Sequence, residues 1–158
     1  MSTSILTDVP DALIASQLRH RGAGGRAWIA SLPRLIANIL DLWMLRPGGP
    51  ARHGMASLVL PVVCADGMAA ALKLQPLDDE NAGEPIGLRA WDGDGAVRLL
   101  DHDPATGAML LERLDATRPL SAVAETPALQ ILAELLARLV AVPAPRPAAP
   151  GRHRRRHA

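Results

Sequence analysis

The sequence predicts an α+β fold, in which helical segments flank a small antiparallel sheet. Helical spacing of apolar residues dominates the first 45 positions, and four short apolar runs typical of strands follow between residues 57 and 114. One helix is predicted between the second and third of these strands, and another after the fourth. Strands in hairpins, interrupted by a single helix, are typical of an α+β domain.

The composition describes an ordinary folded domain with an aliphatic core. The chain has 158 residues, 49% of them hydrophobic, and contains neither Phe nor Tyr, so three tryptophans are its only aromatic residues. A chain of this length fits one domain and buries a usable core. With so few aromatic side chains, binding of nucleic acid by base stacking is disfavoured.

The formal net charge of +1 hides an uneven distribution of charge. Five of the 17 Lys and Arg residues lie in the last thirteen positions, which contain no acid, so 12 basic residues face 16 acidic ones in the body. A mildly acidic body argues against specific nucleic-acid binding. We expect the Pro/Ala/Arg-rich residues 142–158 to form a disordered basic tail.

Several features of the sequence point to a cytoplasmic protein. A single cysteine, Cys64, excludes an internal disulfide. The N-terminus lacks the charged and apolar regions of a secretory signal. The best apolar run, residues 35–45, is short for a membrane span and contains Asp41. We therefore expect a protein that is cytoplasmic and has no membrane partner.

Two helices are predicted before the sheet. The first opens at Pro10 and Asp11 and ends at the glycines of residues 22–25. Ser31 is a candidate cap for the second, with Pro33 in its first turn and the Pro/Gly cluster at residues 47–50 ending it. The apolar face of this second helix follows helical spacing and comprises Leu35, Ile36, Ile39, Leu40, Leu42 and Trp43.

The four predicted strands are residues 57–63, 70–74, 96–100 and 108–114. A turn at residues 65–67 joins the first pair into a hairpin, and residues 104–107 supply the turn between the last pair. Residues 78–91 are predicted to form a short helix, weakened by Gly83, Pro85 and Gly87. Thr126 is predicted to cap the final helix, with Pro127 at its first position and leucines along one face.

This order of elements is that of the N-terminal lobe of a protein-kinase-like fold. We divide the chain into N-terminal helices at 1–46 and a predicted kinase-like lobe at 47–116. Residues 117–141 form a linker and the start of a C-terminal lobe, and residues 142–158 form the tail.

Lys73 is the first candidate for a chemical role. It is the only lysine in a chain with sixteen arginines, and it lies in the apolar strand AALKL. An ammonium is a compact point charge, whereas guanidinium is a wide planar fork, so a strand lysine suits contact with nucleotide phosphates. The alternative is a solvent-exposed lysine at the edge of a strand.

A phosphate-binding lysine of this kind needs an acid to orient it, usually on the following helix. Glu80 and Glu84 are the candidates, and they are four residues apart on one helical face. Pro85 is a complication for a helix over residues 78–91, because inside a helix it removes a hydrogen bond and clashes with the preceding turn; it would be accommodated if the helix began near Glu84. The alternative is a solvated acidic helix.

Two further segments are weaker candidates for nucleotide binding. Gly54, in the sequence HGMAS, could let backbone amides approach a phosphate, although no complete glycine-rich motif is present. Residues 110–114 end the last strand and could form a hinge that binds adenine through its backbone. A plain edge strand is the alternative for that segment.

Two stretches that contain these residues resemble a known family. Residues 53–75 (HGMASLVLPVVCADGMAAALKLQ) and 83–115 (GEPIGLRAWDGDGAVRLLDHDPATGAMLLERLD) are similar to the N-terminal lobe of aminoglycoside phosphotransferases. The nearest group is that of the streptomycin 6-kinases, or aminoglycoside/hydroxyurea resistance kinases. WDGDGAVRLL and LLERLD are the most specific pieces, and the resemblance extends from about residue 9 to about residue 145.

The resemblance implies transfer of the γ-phosphate of ATP, with Mg²⁺, to a hydroxyl of an aminoglycoside such as streptomycin. Lys73 would contact the α- and β-phosphates, and Glu84 would pair with it. Residues from Gly54 to Ser57 would cover the nucleotide, and the backbone from Glu112 to Leu114 would hold adenine. The glycine and proline that flank Glu84 depart from the family pattern and weaken the expected pairing.

A catalytic half is not recognisable in the sequence. Kinase chemistry requires an aspartate and Mg²⁺ ligands after the hinge, but Glu134 is the last acidic residue. We therefore expect a truncated, inactive ATP-binding lobe, and a frameshift or premature stop near residues 144–150 would explain its ending. The alternative is a non-catalytic nucleotide-binding or protein-interaction module.

Overall fold

The computed structural model describes residues 9–143 and residue 145. The α+β prediction is confirmed: within this part of the chain, helices surround a small antiparallel sheet into which one helix is inserted. The helices are α1 (Asp11–Leu42), α2 (Glu84–Trp91) and α3 (Glu125–Ala141), with a 3-10 turn at Leu120–Ala122. The strands are β1 (Arg46–Pro47), β2 (Arg52–His53), β3 (Leu58–Val63), β4 (Ala69–Leu74), β5 (Leu99–Asp103) and β6 (Ala108–Glu112).

The sheet has the order β1-β3-β4-β6-β5, and every pairing is antiparallel. β2 also pairs with β3, at the opposite end from β1, so the two short strands form one interrupted edge. The sequence did not predict β1 and β2, because each is two residues long and they are separated by Pro- and Gly-rich residues.

The two faces of the sheet bury different side chains. In β4, residues alternate between fully buried positions, such as Leu72, and partly exposed positions, such as Lys73. The buried face packs against α1. Its core comprises Leu13, Leu32, Ile36 and Ile39 of α1 with Leu58, Leu60, Val62, Ala70, Leu72, Leu74, Ala108 and Leu110 of the sheet.

The opposite face carries a second, smaller core under α2. Leu88 of α2 packs with Met109 and Leu111 of β6, and Trp91 and Leu99 join this cluster as partly buried neighbours. Because Val59, Lys73 and Met109 are cross-strand partners, they lie on this same face. The inserted helix therefore lies on the side of the sheet that carries Lys73.

The predicted break between the N-terminal helices is confirmed, but the second segment starts earlier than expected. Gly22 has φ +53° and ψ −121° within α1, and the helix then continues through Pro33 to Leu42. Ser31 is not a cap, since its hydroxyl donates to the carbonyl of Trp28, 2.7 Å away. Gly25, which is helical, leaves no room for a side chain, because an added Cβ would lie 2.3 Å from the carbonyl oxygen of Gln17.

Two other predicted boundaries were also wrong. The final helix begins at Glu125 with Ala124 as its N-cap, and no side chain caps it. Pro127 is still tolerated, because the amides of a first helical turn have no partner in the helix. The strand predicted at residues 96–100 lies instead at Leu99–Asp103. It is an edge strand, and an edge strand can contain polar residues, so no continuous apolar run marks its position in the sequence.

The predicted turns lie where expected. Gly67 has φ +86° in the hairpin between β3 and β4, and Gly107 has φ +75° in the turn before β6. Most of the predicted basic tail, residues 142–158, lies outside the described residues. Among the residues that the structure describes, no helix is both long and apolar enough to cross a membrane.

Candidate functional site

Lys73 and Glu84 are brought together on the α2 side of the sheet. The Lys73 Nζ donates to Glu84 Oε1 across 2.5 Å. Both side chains are partly buried, with 21% and 30% of their surface exposed. A pair at this depth holds the ammonium in one place and leaves part of it accessible to an anionic ligand.

A second donor from β4 completes the contacts of Glu84. The side-chain amide of Gln75 donates to Glu84 Oε2 at 2.7 Å, so each carboxylate oxygen accepts one hydrogen bond from a different residue. Gln75 is buried, with 6% of its surface exposed. Sequence reasoning missed it, although its position two residues after Lys73 places both side chains on the same side of an extended strand.

The start of α2 explains why Glu84 has this position. Glu84 is the first residue of α2, and Pro85 follows it in the first turn, where a missing amide hydrogen has no consequence. Asn81 fixes the preceding turn, because its side-chain amide donates to the carbonyl of Pro76 at 3.0 Å. The flanking glycine and proline are therefore compatible with the Lys73–Glu84 pair.

Glu80, the other acid considered, lies elsewhere. It is exposed in the turn before α2 and lines a separate cavity of about 680 Å³, together with Ser16, Gln17 and Arg21 of α1. Arg21 forms an ion pair with Asp78 in that turn, and this hydrogen bond holds the pKa of Asp78 below its usual value. Of the two candidates, the structure therefore brings Glu84 to Lys73.

A groove of about 630 Å³ lies on the same face of the sheet as Lys73. Val59, Ala71 and Leu111 form its apolar floor, and the segment 112–117 forms one wall. Ala71 is two residues from Lys73 in β4, which is about 7 Å along a strand. A ligand whose flat apolar part lies in the groove could therefore place a negatively charged part next to the Lys73 ammonium.

Glu112 and Leu114, the predicted hinge residues, both line this groove. The backbone amide of Glu112 is already engaged, since it donates to the carbonyl of Arg98 at 3.0 Å. Its carboxylate is engaged as well, because Oε1 accepts from the Arg98 amide at 2.9 Å. Glu112 thus ties the wall of the groove to the residues before β5.

Asp115 also lines the groove, and its carboxylate is held by a local turn. The hydroxyl of Thr117 donates to Asp115 Oδ1 at 2.6 Å, and the Thr117 amide donates to the same oxygen at 3.0 Å. These two bonds, the side-chain bond first, lower the pKa of Asp115. The wall of the groove therefore carries a fixed negative charge at its exposed end.

Gly54 and Ser57 lie in the turn between β2 and β3 and do not line the groove. The amide of Gly54 donates to the carbonyl of Ser57 at 2.9 Å, which closes the turn. α1 supports it from outside, through hydrogen bonds from Ser16 to the Met55 carbonyl at 2.7 Å and from Gln17 to the Ala56 carbonyl at 3.0 Å. The turn leads into β3, and Val59 of this strand lines the groove.

Within residues 9–143 and 145, no three His, Cys, Asp or Glu side chains lie together as the ligands of one metal ion would.

Comparison with known proteins places this arrangement in a family. Residues 42–154 match the aminoglycoside/hydroxyurea antibiotic resistance kinase family. The chain is 54% identical to a streptomycin 6-kinase of Streptomyces glaucescens over 147 residues, which cover 92% of this chain and 48% of that protein. It is also 54% identical to a hydroxyurea phosphotransferase of Kitasatospora aureofaciens, over 89% of this chain and 42% of the relative.

A streptomycin 6-kinase of Streptomyces griseus is similar to the same degree, with 54% identity over 92% of this chain and 48% of the relative. No solved structure shows significant similarity to the chain. The chain spans about half the length of the curated relatives that it matches. By its match over residues 42–154, the chain belongs to the aminoglycoside/hydroxyurea antibiotic resistance kinase family.

Proposed function

We propose that this chain forms the ATP-binding lobe of a kinase that transfers a phosphate from ATP to a hydroxyl of an aminoglycoside antibiotic. The observation that carries the proposal is the pair formed by Lys73 and Glu84 beside the apolar groove. Membership of a kinase family supports ATP as the phosphate donor. The names of two relatives support streptomycin as the acceptor, whereas a third relative is named for hydroxyurea.

In this proposal, each part of the site binds a different part of the nucleotide. Val59, Ala71 and Leu111 would contact the adenine ring, which is flat and largely apolar on its faces. The amide of Glu112 donates to Arg98, so the Glu112 carbonyl and the Leu114 backbone are the groups we assign to the ring edge. Lys73 would then neutralise charge on the phosphates.

Gly54 and Ser57 have a different proposed role. Their turn leads into β3, and β3 carries Val59 into the groove. Backbone amides of this turn could cover the phosphates. The support that α1 gives to the turn through Gln17 would keep it from opening widely.

The chemical step itself is not assigned to any residue of this chain. Phosphoryl transfer needs a carboxylate that accepts the proton of the attacking hydroxyl, as well as Mg²⁺ bound to the phosphates. Mg²⁺ would neutralise charge on the β- and γ-phosphates. The lobe would contribute binding and orientation of the donor, and the transfer would depend on groups outside the described residues.

The first test is ATP binding by the purified chain, measured by isothermal titration calorimetry. Lys73→Ala should weaken binding at least about tenfold, because it removes a charged contact with phosphate. Lys73→Arg should also weaken binding, since its wide fork does not replace a compact ammonium. Arg19→Ala, which changes an exposed charge on α1, is the control.

Two results would count against the proposal. The first is wild-type affinity for ATP in Lys73→Ala. The second is an equal loss in Lys73→Ala and Arg19→Ala, which would indicate general electrostatic attraction rather than a site.

The exposed face of α3 supports a second candidate function, that of a protein-interaction module. Leu129, Leu132 and Leu136 are 58%, 43% and 52% exposed. In a kinase as long as the relatives, this face would pack against the remainder of the chain. In an interaction module, it would bind another protein, and the chain would show no saturable binding of ATP in the same titration.

A further inference from the structure

Gln75 stands out because it is buried and polar and contacts the functional pair directly. Its side chain is held at 2.7 Å from Glu84 Oε2, on the oxygen that Lys73 does not contact. A carboxylate accepts hydrogen bonds and donates none, so the amide nitrogen of Gln75 must be the atom that faces it. The bond therefore fixes the orientation of the Gln75 amide as well as that of Glu84.

We propose that Gln75 is a positioning residue, which fixes the Glu84 carboxylate so that Lys73 is held in its phosphate-binding orientation. A glutamate side chain with one partner can still rotate about its last torsion, because terminal torsions of this type are broad. Two donors on opposite oxygens remove that freedom. This role rests on the proposed function of Lys73 in binding ATP.

The positions of the three residues in the fold support this role. Lys73 lies within β4 and Gln75 is the first residue after this strand, so one continuous segment supplies both donors. Glu84 is the first residue of α2, which packs on the same face of the sheet through Leu88. The hydrogen bonds therefore join the beginning of α2 to the end of β4, and a shift of α2 would break both of them.

Burial makes the contribution of Gln75 larger than that of a surface glutamine. At 6% exposure, water has little access to the amide, and an amide in such a place costs free energy unless it is hydrogen-bonded. Leucine or methionine would fill this position without that cost. A role in orienting Glu84 explains why a polar side chain is compatible with this site.

The test uses the fact that Lys73 is the only lysine. Labelling lysine with ¹⁵N gives one side-chain ammonium signal, which is sharp when the ammonium is held in an ion pair and exchanges slowly with water. Gln75→Met keeps the size of the side chain and removes its donor. It should broaden the signal or move it, in the same direction as Glu84→Gln does. Gln130→Met, at an exposed position of α3, should leave the signal unchanged.

ATP titrations then separate orientation from simple loss of packing. Gln75→Met should weaken ATP binding about threefold to tenfold, and Glu84→Gln about tenfold or more. If Gln75 acts through Glu84, the double variant should bind no more weakly than Glu84→Gln alone. A residue that only supports packing would instead weaken binding further in the double variant.

An unchanged ammonium signal in Gln75→Met would overturn the inference, and so would additive losses of ATP affinity. The proposed function is tested separately: wild-type affinity for ATP in Lys73→Ala would contradict it. A wild-type protein that shows the protected ammonium and loses it in Gln75→Met, yet does not bind ATP, would retain Gln75 as the residue that orients the pair and remove only ATP as its ligand.

Discussion

The two longest helices, α1 and α3, have similar apolar faces but differ in burial. Leu13 and Leu32 of α1 are fully buried against the sheet, whereas Leu129 and Leu136 of α3 are more than half exposed. None of the residues of α3, all of which the structure describes, is buried. The comparison teaches that helical periodicity predicts an apolar face but not the surface that covers it.

The contacts of α3 are concentrated in its last turn. The indole nitrogen of Trp91 donates to the carbonyl of Leu139 at 3.0 Å, and Arg138 lies 3.7 Å from Asp94. Gly95 lies against the same turn, since an added Cβ would meet the side chains of Arg138 and Leu139 at 3.5 Å. One end of α3 is therefore attached to the region after α2, while its apolar face is left open.

Truncation of a leucine should show the largest difference in stability between the core under α1 and the exposed face of α3. Leu72→Ala, in the core under α1, should lower the free energy of unfolding by about 2–5 kcal/mol, because it leaves a cavity. Leu136→Ala in α3 should change it by less than about 1 kcal/mol, since its side chain is half exposed. Urea unfolding of both variants measures the difference. Equal losses would mean that the face of α3 is covered in solution.

Two adjacent glycines of α1 should respond to the same substitution with opposite signs. Gly25→Ala should destabilise the fold by about 1–3 kcal/mol, because the new Cβ would overlap the carbonyl of Gln17. Gly24→Ala, with nothing within 4 Å of its Cβ position, should stabilise the helix by about 0.5–1 kcal/mol. Thermal unfolding measures both, and a gain in stability for Gly25→Ala would contradict the close packing of α1 on itself.

Acid should weaken the tie between α1 and Asp78 more than it weakens the local turn at Asp115. The pKa values of Asp78 and Asp115 are both lowered, in each case first by a side-chain hydrogen bond. Their stabilisation is therefore present above the unfolded pKa of about 3.9 and is lost as the pH falls through the folded value. The Arg21–Asp78 bond joins segments 57 residues apart, whereas Thr117 is two residues from Asp115.

Asp78→Asn should therefore flatten the acid limb of the stability profile more than Asp115→Asn does, because a local turn persists partly in the unfolded chain. Thermal midpoints between about pH 2.5 and pH 6 test this, given the usual range for aspartate. A larger effect for Asp115→Asn would show that the local turn near the groove stabilises the fold more than the tie to α1.

The smallest effect is expected at His102 of β5. Its pKa is lowered, first by burial and then by the nearby charge of Arg89. The unfolded chain therefore binds a proton more readily below about pH 6.5, so stability should fall slightly as the pH falls from that value toward the folded pKa. His102→Gln should remove this slope. If stability still falls with pH in the variant, another titrating group causes the fall.

The sequence predicted the sheet well where strands are apolar and joined by tight turns. Gly67 and Gly107 marked both hairpins, because positive φ favours glycine at such turns. The edge strands were predicted poorly. β1 and β2 are too short to show alternation, and β5 carries Asp101, His102 and Asp103 in positions that an edge strand tolerates.

The candidate site was predicted only where single residues are chemically distinctive. Lys73 is unique in the chain, and the helical position of Glu84 made it a partner. Gln75 gave no such signal, because a glutamine after a strand is usually a surface residue. Its role depends on burial and on the side from which α2 approaches the sheet, and both arise from tertiary packing.

The hydrogen bond between Trp91 and Leu139 also makes the attachment of α3 to the end of α2 visible to fluorescence. With Phe and Tyr absent, three tryptophans account for the aromatic emission of the chain. Trp28 and Trp43 pack beside the core under α1, while the Trp91 indole caps the last turn of α3. After replacement of Trp28 and Trp43 by Phe, the emission wavelength of Trp91 would report how α3 is seated, without any added label.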